Sequence, residues 1–130
     1  MKLLALGVVI ATLAAAPALA QGDATAGATV FKKCAACHAV GEGAKNKVGP
    51  ELNALIGRVA GTAPDYKYSN AMTEAGAGGL TWTEETLAEF LHKPKDYVKG
   101  TKMSFPGLAD QTDIDNVVAY LVTFSPPAAQ

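Results

Sequence analysis

The sequence predicts a small all-α domain of three or more helices joined by long loops. Three observations point there. Apolar residues recur at i, i+3, i+4 and i+7 in the stretch from Gly27 through Val30 and Phe31 to Cys34, and similar stripes follow at Leu87–Leu91 and Val117–Phe124. Helix start and stop residues bracket these stripes. No pair of segments alternates with the period of two that a strand pair needs, and there is no internal repeat.

The elements follow in order. Asp23 is a fitting N-cap for the first helix, whose carboxylate can take up orphan amides of the first turn. Gly27 is costly inside a helix, so its presence implies that another helix packs closely there. From Ala39 to Thr81 the chain is rich in Gly, Pro, Asn and Lys and reads as loop. Val48-Gly49-Pro50 marks a turn, and Gly61–Tyr68 and Gly76–Gly79 read as loop. Glu51–Ile56 is the one short helix predicted there, ended by Gly57. So long a loop is unusual in a compact domain unless it wraps something. Thr81-Trp82-Thr83-Glu84 matches the S/T-x-x-E capping box ahead of Leu87, Phe90 and Leu91, and Pro94 is expected to stop that helix. Tyr97–Leu108 is loop again. Asp110 or Thr112 caps a last helix with Val117, Tyr120, Leu121 and Phe124 on its stripe, and acids at Asp113 and Asp115 suit its N-terminal pole.

The chemistry concentrates in Cys34-Ala35-Ala36-Cys37-His38. C-x-x-C-H is the attachment signature of a c-type haem. The two cysteines add across the porphyrin vinyl groups, and the adjacent histidine supplies one axial ligand. At helical spacing the three side chains can address one ligand. A disulfide, a thioredoxin-like site and a zinc site are the alternatives for such cysteines. Both cysteines are consumed by the motif, no βαβ pattern surrounds them, and His92 is the only other histidine.

Residues 1–20 read as a cleaved secretory signal peptide: Met1-Lys2, an uncharged apolar run from Leu3 to Ala16, and small residues at Pro17-Ala18-Leu19-Ala20. The run is shorter than the ~20 apolar residues that span a bilayer. Residues 21–130 are then one domain, expected to be periplasmic, soluble and monomeric, with no stable membrane insertion. The chain carries 11 basic and 12 acidic residues for a net charge of −1, a balance that argues against nucleic acid as a partner. Lys32, Lys33, Lys45 and Lys47 flank the motif, and Lys93, Lys95, Lys99 and Lys102 precede Met103. If these groups converge, they form a positive face that steers an acidic partner.

The second axial position decides what such a haem does. The candidates are Met72, Met103 and His92. A Met or His ligand favours electron transfer, whereas an open position favours gas binding or peroxidase chemistry. His92 reads as an exposed or capping residue and Met72 as core. Met103 lies in Gly100-Thr101-Lys102-Met103-Ser104-Phe105-Pro106-Gly107, where a glycine at each end lets the backbone approach a porphyrin.

An ordered set of residues carries a resemblance. Gly27 and Phe31, Cys34 to His38, Gly49-Pro50, Gly57-Arg58, Tyr68, Trp82, Lys93-Pro94, Gly100-Thr101-Lys102-Met103 and Ala119-Tyr120-Leu121 stand in the order of the class I cytochromes c. The chain most resembles the bacterial cytochrome c2 and mitochondrial-type group, from Gly22 to about Phe124. The resemblance implies a cytochrome c fold, with terminal helices crossing and loops around one haem c bound by two thioethers. It implies that Gly27 and Phe31 pack on Val117, Tyr120 and Leu121. It implies His38 and Met103 as iron ligands, and a Pro50 carbonyl accepting the His38 Nδ1 proton. Arg58, Tyr68 and Trp82 would serve one haem propionate, and Thr101 the other propionate and the Met103 loop. Phe90 departs from the pattern, standing where a tyrosine usually donates near the methionine sulfur. By resemblance the chain is a one-electron carrier rather than an enzyme. It would take electrons from a bc1-type complex and pass them to a photosynthetic reaction centre or terminal oxidase. A peroxidase-like or gas-binding protein, or a dedicated donor to one periplasmic dehydrogenase or reductase, is the alternative.

Overall fold

The computed structural model describes residues 22–126, and the leader expected over 1–20 lies outside them. Among the described residues five α-helices appear in order: α1 (Ala24–Val30), α2 (Asn70–Ala77), α3 (Glu84–His92), α4 (Pro94–Tyr97) and α5 (Gln111–Val122). The one extended pairing among the described residues is an isolated antiparallel bridge between Val59 and Thr81. The class is all-α.

α1 starts where its cap requires. The Asp23 carboxylate accepts from the Thr25 amide at 2.8 Å and the Ala26 amide at 3.2 Å. α1 and α5 cross at Gly27. A Cβ on Gly27 would overlap the Asn116 carbonyl, so only glycine lets the two backbones come this close. The Asn116 side chain ties the crossing by accepting from the Asp23 amide at 2.8 Å. Phe31 meets Tyr120 with ring centroids 5.5 Å apart. α5 is capped by Asp110, whose carboxylate accepts from Thr112 at 2.7 Å, and it buries Ile114, Val117, Val118 and Leu121. Phe124 lies beyond the helix end, with its ring edge-on to Tyr120.

Several predicted elements change. The first helix does not run on to His38. It passes into a 3-10 turn over Phe31–Lys33 and then into turns, where the Cys34 carbonyl accepts from both Cys37 and His38. Glu51–Ile56 forms turns rather than a helix. Its amides pair across the chain instead of four residues back: Leu52 with Ala39, Ala54 with Phe124, and Ile56 with the Ser125 hydroxyl. Ala54 also takes a left-handed φ of 53°, which no helix permits. Conversely, Gly76-Ala77 belongs to α2, capped by Ser69. Gly76 presses on the Ala60 carbonyl, and this tertiary contact outweighs its poor helix propensity.

The capping box is real but shifted. The cap is Thr83 and its reciprocal partner is Thr86, with bonds of 3.0 Å and 2.9 Å. Thr81 cannot cap. It pairs with Val59, and Trp82 exchanges backbone bonds with Arg58 and Gly57, so the chain stays extended through 82. Pro94 does end α3 near His92, yet it also opens α4 from its first turn, where its missing N–H costs nothing.

Candidate functional site

Between the terminal helices and the loops lies a cavity of about 530 Å³. Its walls are mostly apolar, with Phe31, Leu55, Leu87, Phe90, Leu91 and Val117 among them. Every site residue anticipated from the sequence reaches it: Cys34, Cys37, His38, Pro50, Arg58, Tyr68, Trp82, Thr101 and Met103.

The turn after α1 presents Cys34, Cys37 and His38 together. The two cysteines are not joined in a disulfide, and both are half-buried. Burial pushes the Cys34 thiol above its ordinary value, against the pull of the Lys33 charge. His38 is fixed from behind. Its Nδ1 lies 2.7 Å from the Pro50 carbonyl and donates to it, which leaves Nε2 as the free ring nitrogen. Gly49 lies against the ring: a Cβ there would come within 2.7 Å of Nδ1. The Gly49 amide donates back to the Cys37 carbonyl, closing the turn onto the motif.

Burial holds the His38 imidazole below its ordinary 6.5. The imidazole is therefore neutral at pH 7, the form in which Nε2 can ligate a metal.

On the loop between α4 and α5, Gly100 and Gly107 take left-handed φ values of 93° and 106°. The half-buried Met103 between them lines the cavity, and its amide donates to the Thr101 hydroxyl at 3.3 Å. Met72 also lines the cavity, from α2, and belongs to the buried core. His92 does not reach it. That residue is exposed, with Nδ1 at 3.2 Å from the Leu108 carbonyl.

The polar groups occupy one stretch of wall. The Tyr68 oxygen accepts from the Ala63 amide at 3.1 Å, and burial pushes its pKa up. The hydroxyl therefore keeps its proton and can donate. Arg58 is steadied by the Glu51 carboxylate at 3.7 Å and by the carbonyls of Asn53 and Glu51. Trp82 is buried against Phe90, centroids 5.0 Å apart. Of the lysines, Lys33 and Lys102 line the cavity, and Lys47 sits beside it, bonded to the Ala35 carbonyl. Lys93, Lys95 and Lys99 are exposed but do not line it.

Glu51, Asn116 and Tyr66 were not singled out from the sequence. Glu51 and Asn116 act through bonds to distant backbone, which leave no periodic trace. Tyr66, two residues before Tyr68 in a loop, carried no motif.

The residues fit a haem c. Two thiols, an imidazole with one ring nitrogen free, a thioether and cationic and hydroxyl donors all line one apolar cavity, and Gly49 keeps the His38 ring unobstructed. Among the described residues no group of three or more His, Cys, Asp or Glu could hold a metal ion by itself, and no helix is long and apolar enough to cross a membrane.

Comparison with known proteins agrees. The family model for cytochrome c matches residues 24–125. A cytochrome c2 of Afifella marina is 60% identical over 99 residues, 76% of this chain and 80% of that protein. A cytochrome c2 of Agrobacterium tumefaciens is 54% identical over 102 residues, 78% of this chain and 92% of that one. The solved cytochrome c2 of Rhodospirillum centenum superposes with a TM-score of 0.78 at 44% identity, covering 81% of this chain and all of that one. A cavity built to take one covalently attached haem c, in this helical frame and with these relatives, places the chain in the cytochrome c family.

Proposed function

We propose that the chain is a soluble, periplasmic one-electron carrier whose haem c is linked through Cys34 and Cys37 and ligated by His38 and Met103. The observation that carries this is the meeting of His38, both thiols and Met103 on one apolar cavity. When bound, the haem supplies a reversible Fe(III)/Fe(II) couple.

The chain's own residues do the rest. The Pro50 carbonyl orients the His38 ring and makes it a more basic ligand. The apolar walls exclude water and disfavour added charge. Tyr68, Arg58 and Trp82 would serve one propionate, and Thr101 the other. Phe90, packed between Trp82 and Tyr97, offers no hydroxyl to the methionine sulfur. A peroxidase reading needs a distal acid–base group, and His92, the one histidine available for it, lies outside the cavity.

Lys33, Lys47 and Lys102 would guide brief encounters with acidic redox partners, in small interfaces suited to turnover. By likeness to the cytochromes c2, the donor is a bc1-type complex and the acceptor a photosynthetic reaction centre or terminal oxidase. The periplasmic placement rests on the leader read at residues 1–20. Stopped-flow reduction by a purified bc1-type complex tests the reading. The wild type should be reduced rapidly, and more slowly as salt rises. Lys33→Glu with Lys47→Glu should slow the reaction about tenfold at low ionic strength and much less at high. No reduction of the wild type at any ionic strength would refute the carrier.

A further inference from the structure

We propose that Tyr66 is a positioning residue, a clasp that ties the turn holding His38 to the loop carrying Met103. The inference rests on the ligand reading above. No hydrogen bond joins Tyr66 to either His38 or Met103, so any influence it has must pass through its neighbours.

Two contacts lead away from it. The phenol O–H donates to the Val48 carbonyl at 2.7 Å. Val48 directly precedes Gly49, which abuts the His38 ring, and Pro50, whose carbonyl accepts from Nδ1. On the other side the Lys102 ammonium lies 4.5 Å from the Tyr66 ring centroid. The same ammonium donates to the carbonyl of Lys67, the next residue along. Lys102 directly precedes Met103. The step Tyr66–Lys67 is thus anchored to both segments at once.

The clasp has a firm seat. Tyr68 packs edge-on against Tyr66, centroids 4.8 Å apart at 78°, and is itself fixed by the Ala63 amide. Its two clients need it. Neither 48–50 nor 100–107 has regular secondary structure, and Val48 is 75% exposed. Among the described residues the Met103 amide has only the 3.3 Å bond to Thr101.

The links act in series: Val48 to Tyr66, then Tyr66 to Lys102. Breaking either should free both ends. The test uses ferric holoprotein with imidazole as a neutral competitor for the iron, followed by stopped flow, and NMR exchange of the His38 Nδ1 proton. Tyr66→Phe removes the hydroxyl and keeps the ring, and Lys102→Gln removes the cation and keeps the stem. Each should speed imidazole binding about fivefold, the effect of losing one net hydrogen bond. The double variant should be no faster than the faster single one, since the links share one path.

The distinguishing signature is that Lys102→Gln, on the methionine side, also speeds exchange at His38. Val118→Ala, in the terminal-helix core, should lower stability without moving either rate. Wild-type rates in both variants, effects that multiply, or an equal response in Val118→Ala would overturn the clasp. A wild-type ferric spectrum without methionine ligation would instead overturn the ligand reading, and the exchange at His38 would still decide the clasp.

Discussion

Replacing Met103 by Ala should abolish the far-red methionine–iron charge-transfer band of the ferric protein, lower the midpoint potential and expose peroxidase-like activity. A neutral thioether favours the ferrous state, so removing it favours the ferric one. It also leaves an open iron position for small ligands. Met72→Ala is the matched comparison, because Met72 lines the same cavity from α2. It should keep the band and lose about 2–4 kcal/mol of stability, the cost of truncating a buried methionine. Spectra and redox titration of the two variants separate ligand from core. If Met72→Ala lost the band and Met103→Ala kept it, the two assignments would have to be exchanged.

The largest structural effect is expected at Gly27. Its α-carbon faces the Asn116 carbonyl and the Tyr120 Cβ, so any side chain must push α1 away from α5. Both neighbours are helix backbone or its first side-chain carbon and cannot swing aside. Gly27→Val should cost at least about 3 kcal/mol, at the upper end of overpacking penalties. That is a large share of the 5–15 kcal/mol by which a domain of this kind is stable. The separation would also move Phe31 off Tyr120 and disturb the turn that presents Cys34. Thermal unfolding and the yield of haem-loaded protein measure both consequences. A Gly27→Val protein with wild-type melting temperature would show that the crossing is not close-packed.

The helices legible in the sequence were those whose signals are local. Asp23 and Asp110 announce α1 and α5 because an N-cap acts within three residues. The haem motif was legible for the same reason, since its chemistry is written in five consecutive residues. What could not be read was set by partners far along the chain. The box at Thr81 failed because Thr81 is held by Val59, and the helix at Glu51–Ile56 failed because its amides bond to Ala39, Phe124 and Ser125. α2 was hard to read because Gly76 argues against a helix, and only its contact with Ala60 makes it suitable there.

The site divides in the same way. Cys34, Cys37 and His38 were legible from spacing. Met103 was marked by the glycines on either side of its loop, while Pro50, Arg58, Tyr68, Trp82 and Thr101 needed a resemblance, because they come from separate segments that only the fold brings to one cavity. Tyr66 was invisible to both, since its bonds run to the Val48 backbone and to a lysine that reads as one of many surface charges.

The central claim is that both axial positions of a covalently attached haem are closed, by His38 and Met103. The visible and near-infrared spectrum of the purified full-length holoprotein, oxidised and then reduced at neutral pH, tests it most directly. The account predicts a low-spin ferric spectrum with the methionine–iron band and a ferrous spectrum unchanged by carbon monoxide. A high-spin ferric spectrum, with rapid cyanide binding, would contradict it.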